Sequence, residues 1–500
     1  MALLVDKPDE PRRWWRLVLY SMLSVYAAAF LLFAETWAFG WDETYHLLAA
    51  QLILAGRTPY FDFCFPQTLL NAYWNAGWMS VFGQSWHVPQ TVAAVLTIGA
   101  VLLTADFVAR RFPVTGWRVP GAIVVGLMTG LNTMVFFYGP LGQPYGMCLC
   151  TLVLAFRICV QTPDRSGMKL PACAGFFAGI AAGSSLLSAA AAPALLAWIL
   201  VYNRAGNRWR KLAGFALGAA IPFLPLLWFF AKAPRETWFN VFEYHVFFRK
   251  LYWPETTQHD LEVLTSWIDS GQALVAGLLA VFGLLYVIRR SSWPRAVKAQ
   301  FYLAAWLAVA LAAEVARAHP TFPQYFLLIV PFVAILAVAG LCALAERLIA
   351  GGRPAVPVSI VALLIAFGLA KAIYNRRDEP KWQEYERLAI KVNQVTPTNA
   401  MLFAHEPIYF LTRRVPPPGH ELYYSHKVNL PAPERARLHI LTEAEVKQQV
   451  QSGTFATAVS CDDDEINHYG LETVYTRRVD VADCAVFWDR KRNGPGGSAN

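Results

Sequence analysis

The sequence predicts a polytopic α-helical membrane protein of about eleven spans, followed by an α/β domain on the outer, exoplasmic side of the membrane. Two observations support this prediction. Of the 500 residues, 56% are hydrophobic and only 15% are charged, which is too apolar for an ordinary water-soluble protein. The apolar residues are also unevenly distributed, because the long apolar stretches all lie in the first 375 residues.

Eleven apolar stretches are candidates to cross the ~30 Å hydrocarbon layer of a bilayer. We expect the first to be retained, because no small-residue cleavage site follows it. The fifth and sixth are short and rich in small residues, so they form either two spans or one. The candidates are 17–34, 86–109, 119–137, 140–160, 171–186, 188–203, 210–231, 271–288, 299–316, 322–345 and 355–373.

The Lys and Arg residues between these stretches predict the orientation of the chain. If the N-terminus is cytoplasmic, that side carries 20 of them, against six on the opposite side up to residue 370. This excess fits the positive-inside rule. From residue 371 onward, 17 basic residues balance 17 acidic ones, so the formal net charge of +9 belongs to the membrane part and indicates no nucleic-acid partner.

This orientation divides the chain into a transmembrane module, 1–375, an exoplasmic α/β domain, 376–490, and a disordered tail, 491–500. The module has two long outer loops, 35–85 and 232–270. In the domain, the patterns predict helices at "EPKWQEYERLAIKVNQV" and "TEAEVKQQVQSG", with Thr442 as a helix cap, and strands at "NAMLFA", "FATAVSC" and "DCAVFWDR". The first outer loop is predicted to hold two short helices that lie along the membrane surface.

Acidic residues gather in the first outer loop, within "FGWDETYHLLAAQLILAGRTPYFDF". Asp42 and Glu43 follow the first span directly, His46 lies one helical turn further, and Asp62 ends the segment. Asp42 could simply cap the following helix, with Glu43 complementing the helix dipole. Several charged groups beside a membrane are costly unless they are used, however, so a functional site is the stronger interpretation.

The stretch "WDETYHLLAAQLILAGRTPYFDF" resembles the first periplasmic loop of GT-C glycosyltransferases. The resemblance covers roughly 15–375 and is closest to the bacterial RgtA/B/C/D-like branch, then to protein O-mannosyltransferases and lipid A aminoarabinose transferases. It implies a GT-C fold and an inverting transferase that moves a sugar from a polyprenyl-phosphate carrier to an envelope lipid, glycan or protein. It further implies that Asp42 is the general base. We expect Glu43 to share this catalytic pocket, which Asp62 also shapes.

The leaving lipid phosphate would need positive charge at the same face. Arg249 and Lys250 in "EYHVFFRKLYW" and Arg317 and His319 in "EVARAHP" are the candidates. Arg317 could instead neutralise Glu314, three residues earlier, and the Arg249–Lys250 pair could contact anionic headgroups. The substrate-binding set is completed by Asp62, His46 and Tyr325.

No Cys or His spacing is typical of a metal site, and "CDDDEIN" lacks the glycine and spacing of a calcium loop, which favours a solvated turn. No cofactor is certain from the sequence, and a divalent cation is not excluded. Membrane lipids are expected as further partners. A transporter, a lipid flippase or a non-catalytic glycan-binding scaffold are the alternative functions. The absence of any N-x-S/T sequon favours a bacterial inner membrane.

Cys461 and Cys484 both lie at strand-like segments of the exoplasmic domain. Their similar patterning predicts neighbouring strands and a disulfide between them, with two buried thiols as the alternative.

Overall fold

The computed structural model describes residues 13–253 and 255–491 and is helical through most of its length. The predicted disordered tail, apart from Lys491, lies outside the described residues. The helices up to residue 375 are α1 (Arg13–Thr36), α2 (Trp41–Leu54), α3 (Leu69–Phe82), α4 (His87–Arg111), α5 (Arg118–Gly130), α6 (Thr133–Tyr138), α7 (Tyr145–Cys159), α8 (Lys169–Ser184), α9 (Ala191–Val201), α10 (Arg208–Ala220), α11 (Leu224–Lys232), α12 (Pro234–Trp238), α13 (Thr256–Asp269), α14 (Gly271–Arg289), α15 (Arg295–Ala316), α16 (Val330–Leu348) and α17 (Ala355–Asn375).

Within residues 13–253 and 255–491, seven helical segments are long and apolar enough to cross a membrane, and each matches a predicted span. They are Arg13–Thr36, His87–Arg111, Arg208–Lys232, Gly271–Arg289, Arg295–Ala316, Pro323–Leu348 and Ala355–Asn375. The other four predicted spans correspond to α5 with α6, α7, α8 and α9. The last three have 15, 16 and 11 residues, or roughly 16 to 24 Å of helix, which is short for a bilayer. The count of eleven spans therefore stays a prediction.

Contacts between the loops divide them into two groups, one at each end of the bundle. At one end, Glu43 contacts Gly142 and Tyr138 contacts Arg376. At the other end, the contacting pairs are Asp106 with Arg157, Thr162 with Lys211, Phe112 with Trp293 and Trp117 with Gly352. Both predicted helices of the first outer loop, α2 and α3, lie at the first end.

The small-residue-rich stretch allows helices to touch along their backbones. A Cβ atom on Gly218 of α10 would lie 2.0 Å from the Ala172 carbonyl oxygen of α8, and one on Gly175 would lie 2.1 Å from the Phe215 carbonyl oxygen. Only glycine permits this approach, which is a common way of packing helices in membranes. The separate helices α8 and α9 show that 171–203 is not one continuous helix.

A four-stranded sheet organises the C-terminal domain, with strand order β1-β2-β4-β3. Strand β1 pairs in parallel with β2, whereas β4 is antiparallel to both β2 and β3. The elements are α18 (Trp382–Val395), β1 (Leu402–Phe403), α19 (Glu406–Thr412), α20 (Ala432–Leu438), α21 (Glu443–Ser452), β2 (Thr457–Ser460), α22 (Asp463–Tyr469), α23 (Leu471–Val474), β3 (Tyr475–Val481) and β4 (Cys484–Arg490).

The structure confirms both predicted helices and all three predicted strands of this domain, including the capping box between Thr442 and Glu445. It also contains the predicted disulfide between Cys461 and Cys484. The stretch "CDDDEIN" is solvated as predicted, with Asp462, Asp463 and Asp464 exposed, but it is not a turn. Asp462 caps α22 by accepting a hydrogen bond from the Asp464 amide, so a helix begins there.

The domain packs directly on the first outer loop. Leu48 and Leu52 of α2 belong to the same apolar core as Tyr385 and Leu388 of α18. Burying these side chains together fixes α2, and with it the acidic pair, against the C-terminal domain.

Candidate active site

Asp42 lies in the first turn of α2 but does not cap it. The N-cap position is Gly40, whose backbone is extended, and no side chain caps the helix. A Cβ atom at Gly40 would lie 2.6 Å from the Cδ1 atom of Leu141, so a larger residue here would displace the end of that side chain. The simple capping interpretation of Asp42 is therefore wrong. Its carboxylate makes no hydrogen bond or ion pair with any residue that the structure describes.

The Asp42 side chain lines a cavity of about 560 Å³ between the bundle and the C-terminal domain. Its wall is formed by side chains from the two long loops, from three shorter turns at the same end of the bundle, and from the C-terminal domain. From the predicted site, the cavity brings together Asp42, His46, Arg249, Arg317, His319 and Tyr325.

Arg249 is held in the cavity wall by aromatic side chains. Its guanidinium donates a hydrogen bond to the Tyr325 hydroxyl and lies 5.2 Å from the centre of the Phe322 ring. Burial raises the pKa of Asp42 above its ordinary value, and the positive charge of Arg249 opposes part of this rise. The carboxylate and the guanidinium therefore act on each other electrostatically across one cavity.

A π-helix, Phe239–Phe248, leads into Arg249. Hydrogen bonds in a π-helix run between residues five apart, so Tyr244 and Arg249 project from the same face. Both line the cavity, together with His245. Burial and the charge of Arg249 lower the pKa of His245 to about 4, so this imidazole is neutral near pH 7.

Arg317 lies on the cavity wall with an exposed side chain. Among the residues that the structure describes, no carboxylate lies within 4.0 Å of its guanidinium. The alternative in which Arg317 is neutralised by Glu314 is therefore not what the structure shows. His319, also on the wall, bonds through Nδ1 to Asp260 Oδ2 at 2.6 Å.

Glu43 does not line the cavity, so its predicted catalytic position needs correction. Its Oε1 accepts a hydrogen bond from the Gly142 amide at 2.5 Å, and its Oε2 accepts bonds from Gln90 at 2.8 Å and Trp382 at 3.3 Å. Adjacent helix residues point about 100° apart, so Asp42 and Glu43 face different surroundings. Glu43 joins α2 to the 139–144 turn and to the C-terminal domain.

His46 completes the same attachment and also lines the cavity. Its Nδ1 lies 3.4 Å from the Asn71 side-chain amide, which also donates to the Gly142 carbonyl. Burial lowers the pKa of His46 to about 3, so the ring is neutral. The described residues include no cluster of three metal-ligating side chains that would use it.

Two further predicted residues lie outside the cavity. Asp62 is exposed and accepts a hydrogen bond from the Thr58 amide at 2.6 Å, so it closes its own turn. Lys250 is exposed and does not line the cavity that Arg249 lines. Asp62 was grouped with Asp42, and Lys250 with Arg249, because they are close in sequence. The geometry of the loop and of the helix separates them, and sequence spacing does not reveal this.

Several cavity residues were missed. Tyr244, His245, Tyr252 and Trp253 lie in the quoted stretch around Arg249, which was selected for its two cations alone. Leu422 and Tyr424 come from the C-terminal domain. The missed residues are Tyr45, Gln143, Tyr145, Tyr244, His245, Tyr252, Trp253, Glu314, Leu422 and Tyr424. The aromatic run around Arg249 was a usable signal, whereas nothing in "HELYY" indicates contact with a loop about 380 positions earlier.

No protein-family model matches the chain, and no curated protein matches its sequence. Solved structures do match. The crystal structure of ArnT from Cupriavidus metallidurans bound to undecaprenyl phosphate superposes with a TM-score of 0.66 at 15% identity, over 95% of this chain and 98% of that one. The apo form of the same protein gives a TM-score of 0.66 at 14% identity, over 95% and 97%. The chain has the GT-C fold.

A second match extends the GT-C likeness to another protein. The Archaeoglobus fulgidus oligosaccharyltransferase, tethered to an acceptor peptide, superposes with a TM-score of 0.51 at 13% identity, over 93% of this chain and 73% of that one. The predicted GT-C fold and C-terminal α/β domain are thereby confirmed. At these identities the matches establish the fold, and the chemistry must be argued from the cavity.

Proposed function

We propose that this protein is an inverting glycosyltransferase that moves a sugar from a polyprenyl-phosphate carrier to a hydroxyl of an envelope lipid, glycan or protein. The observation that carries the proposal is the shared cavity of Asp42, Arg249 and Arg317. It offers a carboxylate without a bonding partner among the described residues, opposite two guanidinium groups, in a space large enough for a sugar phosphate. The exoplasmic face of a bacterial inner membrane is the proposed location.

In this reaction Asp42 is the general base. An acceptor hydroxyl has a pKa far above 7, so a carboxylate within hydrogen-bond reach removes its proton as the oxygen attacks the anomeric carbon. The new bond forms between the acceptor oxygen and that carbon, while the bond from the carbon to the phosphate oxygen breaks. The proton ends on Asp42, and the carrier phosphate leaves with the electron pair.

Arg249 and Arg317 are proposed to hold the carrier phosphate, which gains negative charge as it leaves. Charged hydrogen bonds of this kind stabilise the transition state more than the ground state. The hydrogen bond from Arg249 to Tyr325 restrains its guanidinium before substrate arrives. The similar ArnT structure is bound to undecaprenyl phosphate, which supports this class of carrier.

The C-terminal domain is proposed to form the acceptor side of the cavity through Leu422 and Tyr424. This segment is held from both directions. Tyr244 and Tyr252 of the second outer loop donate hydrogen bonds to the Tyr424 and Tyr423 carbonyls at 3.2 and 3.0 Å, respectively. From the other direction, the Glu406 carboxylate accepts a hydrogen bond from the Tyr423 amide at 2.8 Å.

A divalent cation would find suitable oxygen ligands in the cavity. Asp42 and Glu314 are the carboxylates on its described wall, and carboxylates are the ligands that Mg²⁺ and Ca²⁺ prefer. The proposed steps do not depend on such an ion, and its involvement is tested below by chelation.

The proposal can be tested without knowing the sugar or the acceptor. Membranes from a strain of the source bacterium that lacks the gene should contain both the unused donor and the unmodified acceptor. Purified protein added to these membranes should increase the mass of one class of envelope molecule by one sugar, as measured by mass spectrometry. Addition of EDTA, followed by Mg²⁺, shows whether an ion is needed. A transporter or a scaffold would produce no mass change, which would contradict the proposal.

A further inference from the structure

A second cavity lies at the end of the bundle opposite to the catalytic cavity. It measures about 340 Å³ and is formed by the last turns of α14 and α16. These helices touch at Gly283 and Gly340, where an added Cβ atom would lie 2.0 Å from a carbonyl oxygen of the other helix. The cavity begins one turn beyond these glycines, at Tyr286 on α14 and Ala343 on α16.

Positive charge dominates this second cavity. Arg289, Arg290 and Arg347 line it together with a single carboxylate, Glu346. Glu346 accepts hydrogen bonds from Arg290 at 3.1 Å and from the Tyr286 hydroxyl at 3.0 Å. The cavity is therefore left with two positive charges that its own carboxylate does not balance.

The remaining two arginines are exposed. Within the residues that the structure describes, neither Arg289 nor Arg347 has a carboxylate within 4.0 Å. The Arg347 guanidinium lies 5.3 Å from the centre of the Phe282 ring, which holds it over the mouth of the cavity. Both groups can therefore bind an anion without first breaking an ion pair.

Apolar surface continues from the cavity along α14. Leu278, Val281, Leu285 and Ile288 are exposed on this membrane-length helix. A ligand that satisfies both features has an anionic headgroup and a hydrocarbon chain. An anionic phospholipid has this chemistry, and basic pockets between helix ends are suited to such headgroups.

We propose that the cavity between α14 and α16 binds an anionic phospholipid, with its phosphate between Arg289 and Arg347 and an acyl chain along α14. This site is separate from the catalytic cavity and does not rest on the proposed reaction. Its occupant would attach the protein to anionic lipid at the bundle end farthest from the catalytic cavity.

The test uses the full-length, delipidated protein in a neutral detergent. Dioleoyl phosphatidylglycerol, dioleoyl phosphatidylcholine and inorganic phosphate are each titrated, and bound lipid is counted by native mass spectrometry. We expect phosphatidylglycerol to bind preferentially. The Arg289→Ala/Arg347→Ala variant should bind it roughly 30-fold more weakly, since each cation near a membrane surface contributes about fivefold.

Two controls make the result specific. Arg208 and Arg210 are exposed at the same end of the bundle but outside the cavity, so Arg208→Ala/Arg210→Ala should keep wild-type binding. Arg289→Lys/Arg347→Lys retains both charges and should keep most of the preference. Three results would overturn the proposal. Phosphatidylcholine could bind equally well, the alanine variant could bind phosphatidylglycerol undiminished, or millimolar inorganic phosphate could displace phosphatidylglycerol fully.

Discussion

Asp42 and Glu43 are neighbours in the first turn of α2, yet one faces the cavity and the other is bonded to the Gly142 amide at 2.5 Å. The proposed chemistry therefore falls to Asp42 alone, and Glu43 has a positioning role. Glu43 attaches the helix to the 139–144 turn, and this attachment sets the direction in which Asp42 points.

The first prediction follows from this division. Glu43→Ala leaves the donors of Gly142, Gln90 and Trp382 without their acceptor, so it should lower the free energy of unfolding by at least about 3 kcal/mol. Asp42→Ala is the matched control, because it removes a carboxylate that bonds to no described residue. Thermal melting in detergent measures both. Equal melting temperatures for the two variants would contradict the assigned role of Glu43.

The second prediction concerns pH. A general base works only when it is ionised, and burial raises the pKa of Asp42. On acidification, transfer should therefore be lost at a pH above the ordinary aspartate pKa of about 4. Arg249 opposes the rise, so Arg249→Ala should move this loss to still higher pH, whereas Arg249→Lys should move it less. Rate–pH profiles at saturating carrier measure the shift. An unmoved profile in Arg249→Ala would contradict the electrostatic link.

The third prediction separates the two sides of the cavity. Tyr424→Ala should reduce transfer about tenfold or more, because it removes a partly buried aromatic from the proposed acceptor wall, but should leave undecaprenyl phosphate binding intact. Arg249→Ala should weaken carrier binding, and Lys250→Ala, next to it but outside the cavity, should not. Carrier binding is followed by native mass spectrometry. Loss of carrier binding in Tyr424→Ala would show that the domain forms part of the donor side instead.

The sequence predicted more of the fold than of the site. Long apolar stretches and the period-two strands are local patterns, so the helices and the strand at "DCAVFWDR" could be predicted from them. Strand β3 was missed because four of its seven residues are exposed and three are charged, as suits a sheet edge. Asp42 and Arg249 could be found from residue type and resemblance. Tyr424 could not, because its contact with the cavity depends on how a distant domain docks.

The fourth prediction concerns the disulfide. The bridge between Cys461 and Cys484 spans a sequence separation of 23, for which the chain-entropy model gives about 3 kcal/mol of stabilisation. Replacing both by Ser should destabilise the domain by about that amount. Peptide mapping without reductant should recover the linked pair from protein purified out of membranes.

The bridge also bears on orientation, since disulfides persist on the oxidising side of the membrane. Free thiols at Cys461 and Cys484 in protein taken from intact cells would contradict the exoplasmic placement of the domain. Single cysteines introduced at exposed positions of the domain and labelled with an impermeant reagent provide an independent check.

Replacement of Asp42 by Asn tests the central claim most directly. Asp42→Asn keeps the shape of the side chain and removes its basicity, and Asp62→Asn makes the same change at an exposed carboxylate of the same loop outside the cavity. The measurement is the initial rate of sugar addition to membranes of the gene-deletion strain. We expect Asp42→Asn to lose about 10²-fold or more at an unchanged melting temperature, with Asp62→Asn near wild type. A folded Asp42→Asn protein that transfers sugar at close to the wild-type rate would contradict the account.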